Sequence, residues 1–286
     1  MLQAFQAPGR WLKGNLHAHT TNSDGRVAPD ERVAGFARQG YDFLAITDHN
    51  FVTRGASDDL VLISGAEYVI RLDYRSYHLV ALNVPAGFQL FDGLAMQESV
   101  DEVRSAGALP IIAHPYWCGL TAAELRDVRG CLGIEVFNTT CLLGNGKGVS
   151  AVHWDDLLCA GWRGFGFAVD DCHRTADAYG GWIMVKSLDR EAGAIVQAIK
   201  AGRFYASTGP EIKSVVLEGS RLTVECSPAA VVNFIGRAAA GRQIAAPEGE
   251  TMTSASFDLA SEFGYVRIEV VDSRGRTAWT NPHYLT

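Results

Sequence analysis

Leu16-His17-Ala18-His19-Thr20-Thr21-Asn22-Ser23-Asp24-Gly25, answered by Ile46-Thr47-Asp48-His49-Asn50, is the pair of stretches on which the fold turns. Each follows a short run, Trp11 to Leu16 and Tyr41 to Thr47, whose apolar and β-branched residues between Gly and polar breakers predict a buried strand. Side chains two apart on a strand share a face, so His17 and His19 point one way while Leu16 and Ala18 point the other. Two imidazoles side by side at a strand end make half a metal site. A single histidine beside an apolar strand is ordinarily a hydrogen-bonded core residue, but here the pattern recurs. Apolar runs ending in His or an acid appear again at Ile63-Ser64-Gly65-Ala66-Glu67, Tyr77-His78, Ile111-Ile112-Ala113-His114-Pro115 and Phe167-Ala168-Val169-Asp170-Asp171-Cys172-His173. Several strands that each deliver His, Asp or Glu at one end are what a polynuclear metal centre needs, since divalent cations take imidazole and carboxylate ligands.

In these segments the chain resembles the PHP family, the phosphoesterase domain named for polymerases and histidinol phosphatases, from about Arg10 to Pro210. His17-x-His19 with Asp24, Thr47-Asp48-His49, Glu67, His78, His114-Pro115 and Asp171-x-His173 follow the family's order. The resemblance implies an α/β fold, a distorted (β/α)7 PHP-type barrel of TIM-like kind, with two to three divalent metal ions (Mn, Fe or Zn) at the C-terminal ends of its strands. It implies that His17, His19, Glu67 and Asp171 hold one ion, that Glu67 bridges to a second held by His78 and His114, and that Asp24, His49 and His173 hold a third. Family members carry Asp or His at the position of Asp24, and a carboxylate there favours Mn or Fe(II) over Zn.

Outward from the first stretch, Pro29 to Gly40 predicts a helix, with Pro in its first turn, acids near its start and Gly at its end. The βα rhythm continues through strands Val61 to Ala66, His78 to Val84, Leu109 to His114, Gly133 to Phe137 and Gly164 to Val169, and helices Met96 to Ser105, Ala122 to Val128 and Ala151 to Ala160. Gly181 to Leu188 predicts a further strand and Arg190 to Ala201 a helix. The texture changes after Pro210. From Glu211 onward short β-rich runs (Ile212 to Leu217, Leu222 to Cys226, Val231 to Ile235, Ser254 to Leu259, Tyr265 to Val271, Thr277 to Trp279) alternate with turn residues. Residues 1–210 are therefore expected to form the PHP metallohydrolase barrel and 211–286 a small antiparallel, β-sandwich-like accessory domain. The junction Phe204 to Pro210 brings Ser and Thr hydroxyls within expected reach of the site.

The chain has 286 residues, 48% of them hydrophobic, and a mean hydropathy of +0.03, the profile of an ordinary globular protein. The start shows no basic region followed by an apolar run, and no long apolar stretch suggests a membrane span. Six cysteines without C-x-x-C spacing suit buried thiols in a reducing compartment, so a cytoplasmic location is expected. The formal net charge of −7 comes with no Lys/Arg cluster resembling a phosphate-backbone track, which argues against a long nucleic acid as partner. A small anionic substrate fits, because bound cations would make the pocket locally positive.

Connections after the strands are candidate walls: Asn50 to Asp59 with Arg54, Tyr116-Trp117 over the metals, and the glycine-rich loop Gly144 to Gly148 with Lys147. Lys147, and Arg174 directly after His173, are candidate substrate contacts, the forked guanidinium suiting phosphate oxygens. Asp48 faces away from His49 on an extended chain and suits a hydrogen-bonding role behind the ligands. Cys172 should face away from the two ligands that flank it, and His153 and His283 lack partner motifs. The function the resemblance implies is a metal-dependent phosphoesterase acting on a small phosphate ester of nucleotide or sugar phosphate type. Its nucleophile would be a metal-activated hydroxide, and Glu67, His114 and Asp171 would be central to catalysis. The same centre suits attack on a carboxyl, carbamate or amide carbon. A non-catalytic, metal-stabilised scaffold is a third reading, weakened by the fact that every motif position is filled.

Overall fold

A computed structural model describes residues 2–72 and 75–285. The first nine strands are β1 (Arg10–Asn15), β2 (Phe43–Ile46), β3 (Val61–Leu72), β4 (Arg75–Leu82), β5 (Leu109–Ile112), β6 (Gly133–Asn138), β7 (Phe165–Val169), β8 (Trp182–Ser187) and β9 (Phe204–Ser207). β1, β2 and β3 are parallel, as are β5, β6 and β7, but β4 lies antiparallel between β3 and β5. The expected closed (β/α)7 barrel is not what forms: the strands make an open mixed sheet. A strand has two edges, and those of β1 are taken by β2 on one side and by antiparallel β8 on the other, so β7 has no edge of β1 to pair with. A single bridge, Ala18 to Cys172, joins the two chain segments beyond the strand ends. The regular βα alternation also fails where β3, at 12 residues longer than its apolar run suggested, returns directly as β4.

Helix 29–38 crosses from β1 to β2 with Pro29 in its first turn, Asp30 and Glu31 at the positive end of the helix dipole and Arg38 at the negative end. Helix 96–105 buries Met96, Val100 and Val103, spaced four and three apart, as an amphipathic face requires. Residues 139–145 form a helix where a loop was expected. The Asn138 side chain accepts from the Cys141 N–H at 2.9 Å to cap its start, and Gly146, at φ +78°, ends it. Helix 192–200 buries Ile195, Val196, Ala198 and Ile199 before β9. Helices and strands share a core in which Phe167 stacks on Phe204 at 4.8 Å; burying each such ring stabilises the fold by about 2–3 kcal/mol.

The remaining strands are β10 (Ile212–Glu218), β11 (Arg221–Ala229), β12 (Val231–Ile235), β13 (Gly241–Ala245), β14 (Met252–Asp258), β15 (Tyr265–Val271), β16 (Thr277–Thr280) and β17 (His283–Tyr284). β10, β11 and β14 make a three-stranded antiparallel sheet. The others extend the main sheet, because β16 pairs with β9. A second core containing Val215, Leu222, Val224, Val232, Phe234 and Ile268 includes Tyr205 of β9. Arg267, 1% exposed, donates to Asp155 on helix 151–159 and to Glu269, tying the two parts of the chain together. The junction hydroxyls turn toward this end rather than the site: Ser207 Oγ donates to the Pro210 carbonyl at 2.7 Å and Thr208 Oγ1 to that of Thr277 at 3.1 Å. Among the described residues no helix is long and apolar enough to cross a membrane.

Candidate metal centre

His17 and His19 continue β1 past its end, with Ala18 between them pinned on the opposite face by Thr47 Oγ1, which accepts from its N–H at 3.1 Å. Both imidazoles are fully buried. His17 Nε2 lies 3.2 Å from His19 Nε2 and 3.3 Å from both Glu67 Oε2 and Asp171 Oδ1. His19 Nε2 is 3.2 Å from Glu67 Oε2 and 3.0 Å from Asp171 Oδ1. A tetrahedral ion with bonds of about 2.0–2.1 Å has ligand atoms roughly 3.3–3.4 Å apart, so these four atoms already sit near the corners of such a site.

Two further groups adjoin it. Asp24 Oδ2 is 3.4 Å from His49 Nε2 and 3.3 Å from His173 Nε2. The other oxygen of Glu67, Oε1, meets His78 Nδ1 at 2.8 Å and His114 Nε2 at 3.1 Å. His49 reaches both ways, its Nδ1 lying 3.0 Å from Glu67 Oε2. All nine expected ligands therefore converge, with Glu67 at the centre offering one oxygen to each side. One cluster, His17, His19, Glu67 and Asp171, has the expected membership; Asp24, His49 and His173 are joined by His19, Glu67 and His78 group with His49, and His114 groups with His17 and the unexpected Glu135.

The ring nitrogens that do not face the centre are held from behind, which sets the tautomers. His17 Nδ1 donates to Glu135 Oε1 at 2.6 Å, and His173 Nδ1 to the Asp171 carbonyl at 2.8 Å. His114 Nδ1 meets Cys118 Sγ at 3.4 Å. Glu135 Oε2 also accepts from the His114 N–H and from Asn138 Nδ2, both at 2.9 Å. Asp48 is buried and accepts from the Thr20 N–H, Thr20 Oγ1, Ser23 Oγ and Thr53 Oγ1, so it shapes the loop that carries Asp24. Gly25 lets that loop fold back: a Cβ there would lie 2.7 Å from the His19 backbone. Arg32, 2% exposed, donates to the carbonyls of His19, Cys172 and Arg174. It thus holds together the β1 and β7 ends that no ladder joins. His114 and Asp171 take left-handed backbone, at φ 25° and 56°, a local strain of the kind that persists where surroundings over-determine a functional position.

Burial opposes charge on His17, but Asp171, Glu67 and Glu135 outweigh it and hold its pKa well above the ordinary imidazole value. His19 behaves likewise, opposed by burial but raised to about 9 by Asp171 and Glu67. Burial alone would raise Glu67, yet the surrounding imidazoles, His17 first, hold it well below the usual carboxylate range. Asp171 is lowered in the same way. Behind them Asp170 is pushed up to about 6 by burial, although Gly181, Tyr179, Gly180 and Thr139 donate to it. The carboxylates at the centre demand positive charge, which protons or divalent cations can supply. Glu67 Oε2, Asp171 Oδ1 and His49 Nδ1 are buried without a hydrogen-bond partner among the described residues. Such atoms are costly unless something coordinates them, and the donor set of imidazole and carboxylate fits a divalent metal.

The centre opens into a cavity of about 230 Å³ lined by Asp24, His49, Glu67, His78, His114, Asp171 and His173 together with Trp117, Thr140 and Cys141. Trp117 forms a wall, as its position after His114 suggested. Lys147 and Arg174 are not brought into this lining, nor is Arg54. Lys147 Nζ lies 5.5 Å over the Tyr116 ring, and Arg174 Nε donates to Asp177 at 3.3 Å. Cys172 is buried in a separate apolar cluster with Phe36 and Leu44, facing away from its neighbours as expected. His153 Nε2 donates to the Leu120 carbonyl. Sequence reading missed Glu135, Arg32, Asn138 and Cys118; the available signal for Glu135 was an acid inside the apolar run Gly133 to Phe137.

The fold has a counterpart among solved structures. Over 98% of its length the chain is similar to 97% of a two-domain protein of Bacteroides vulgatus containing a predicted PHP-like metal-dependent phosphoesterase, at 16% identity and a TM-score of 0.55. It also resembles an amidohydrolase of Chromobacterium violaceum with bound sulfate and no metal, over 67% of this chain and 96% of that one, at 15% identity and a TM-score of 0.45. In sequence it is 26% identical over 141 residues, 44% of its length and 82% of the relative's, to an uncharacterized protein of Methanocaldococcus jannaschii. No protein-family model matches the chain.

Proposed function

We propose that the chain is a metal-dependent hydrolase that cleaves phosphoric esters of small molecules. The observation that carries this reading is the convergence of His17, His19, Glu67 and Asp171 within 4.8 Å, with one oxygen of each carboxylate buried and unpartnered. His17, His19, Glu67 and Asp171 would hold one divalent ion, Glu67 with His78 and His114 a second, and Asp24, His49 and His173 a third. Such ions, when bound, lower the pKa of water and neutralise charge on phosphoryl oxygens.

The chain's own residues do the rest. Glu135 and the Asp171 carbonyl keep the Nδ1 protons of His17 and His173 on the outer side, so that Nε2 presents a lone pair to the centre. Glu67, 1% exposed, spans neighbouring positions with its two oxygens. The cavity is small and the Trp117 ring lines it, an apolar surface against which a bound substrate would be shielded from water on one side. Thr140 Oγ1, buried without a partner among the described residues, is available to donate to a phosphoryl oxygen at the cavity wall. The net charge of −7 is compatible with a small anionic substrate and offers no track for a long nucleic acid.

The test pairs elemental analysis of protein purified without chelator with a panel of phosphate mono- and diesters, carboxyl esters, carbamates and oligonucleotides, each with Mn, Fe(II) and Zn. Turnover of phosphate esters with two or three ions per chain is expected. Turnover of carbonyl substrates alone would overturn the phosphoester reading, and a metal-free or inert protein would overturn the hydrolase reading.

A further inference from the structure

Among the described residues, Trp117 is the one large aromatic side chain lining the cavity beside His78 and His114. We propose that it makes the site selective for phosphate esters of flat aromatic alcohols over esters of sugars and other polyols; this rests on the phosphoester reading above and narrows it. The indole lines the same cavity as His78 and His114, with ring centroids 5.7 Å and 5.1 Å away and interplanar angles of 57° and 83°. Two buried or half-buried imidazoles thus brace it from within. Its backbone belongs to the short helix Pro115–Cys118, which starts at the left-handed His114 and is closed by the Leu120 N–H donating to the Pro115 carbonyl. The ring is therefore held in place, yet the residue is 42% exposed.

The same stretch of chain carries further exposed apolar side chains. Of the nine large apolar side chains exposed among the described residues, six lie between residues 116 and 152: Tyr116, Trp117, Leu142, Leu143, Val149 and Val152. Leu142 and Leu143 follow directly on Thr140 and Cys141, which line the cavity. Lys147 Nζ sits 5.5 Å over the Tyr116 ring, and Arg75 donates to the Gly119 carbonyl at 2.8 Å. A polyol pressed on the indole face would lose water from hydroxyls that find no partner on that face. An aromatic group would gain edge or face contact with the indole at no such cost.

The probes are phenylphosphonate and methylphosphonate, which are not hydrolysed, titrated into the metal-loaded full chain as wild type, Trp117→Ala and Trp117→Phe. Wild type is expected to bind phenylphosphonate about tenfold more tightly than methylphosphonate. In Trp117→Ala that ratio should collapse toward one, and Trp117→Phe should restore most of it. Benzyl phosphate and glycerol phosphate, compared across the same three proteins, should show the loss as a rise in KM for the benzyl ester. Equal weakening of both phosphonates in Trp117→Ala, or a phenyl preference that survives it, would overturn the proposal. If Trp117→Ala fails to hold metal, the ratio in Trp117→Phe decides: it must stay near the wild-type value. A phenyl preference that depends on Trp117 in a protein that hydrolyses no phosphate ester would leave the aromatic wall standing and remove the phosphoester reading.

Discussion

Replacing Glu135 by Gln keeps the shape of a side chain that is 1% exposed but forces a conflict among its partners. One carboxylate oxygen accepts from His17 Nδ1 and the other from the His114 N–H and Asn138 Nδ2, so all three partners are donors. A glutamine has only one acceptor oxygen. If that oxygen stays with His17, the amide NH2 faces two donors; if it flips, His17 Nδ1 faces the NH2 and loses its hold. A charged hydrogen bond is worth about 1.5–3 kcal/mol and an outer partner of a ligating histidine about 10- to 100-fold in metal affinity. These agree, since 1.4 kcal/mol is about tenfold. We therefore expect Glu135→Gln to weaken binding of the ion nearest His17 by about 10- to 100-fold. Chelator competition with Zn and Mn measures this directly, and circular dichroism with a urea melt checks that the fold persists. Affinity within about twofold of wild type in a folded variant would refute the reasoning, because it would mean that His17 needs no support from behind.

Glu67→Ala and His114→Ala should each remove turnover and weaken affinity for the ion they hold by more than the ~100-fold expected for an outer partner, while Cys172→Ser and His283→Ala keep most activity; chelator competition and initial rates on one phosphate ester check all four. Metal binding should release protons at neutral pH, because His19 is raised to about 9 and must lose its proton to ligate; calorimetry in two buffers of different ionisation enthalpy would show no buffer dependence if this is wrong. In chelator-treated protein, His19 should stabilise the fold fully below about pH 6.5 and cease to do so as pH rises through about 9. The lowered pKa values of Glu67 and Asp171 give the opposite flank, with stability present above about pH 4 and lost on further acidification, so urea midpoints should peak between these limits. Arg267→Ala should destabilise the chain by about 2 kcal/mol, less than the ~3–5 kcal/mol of a fully buried pair because Asp155 is 33% exposed. A shift of thermal midpoint under about 1 °C would contradict it.

Much of the site was legible in the chain because its grammar is local. An apolar run forms a strand, the period of two puts His17 and His19 on one face, and the chain then turns to place Asp24 beside them, all within a few residues. The same local logic located nearly every strand, including Val231–Ile235 and Tyr265–Val271 at their observed bounds. It also set Cys172 on the face away from the ligands. What the chain order could not express is which edge meets which. Whether β1 closes on β7 depends on β8 taking that edge, and whether 211–285 stands apart depends on β16 finding β9. Both are pairings over long sequence separations, invisible to local pattern. Charge partners depend on the backbone path as well, whether the partner is three residues away or more than a hundred. Arg174 looked free for phosphate until Asp177 turned back toward it, whereas Glu135, 118 residues from His17 in sequence, became its partner only once the strand ends came together. The candidate ligands could be read from the sequence because they come in short local motifs, His17-x-His19 and Asp171-x-His173, or as single polar residues in or just after apolar strands, as Glu67, His78 and His114 do. The support behind those ligands, and the wall in front of them, belong to the tertiary structure because each is made by a different strand or helix arriving at the same point.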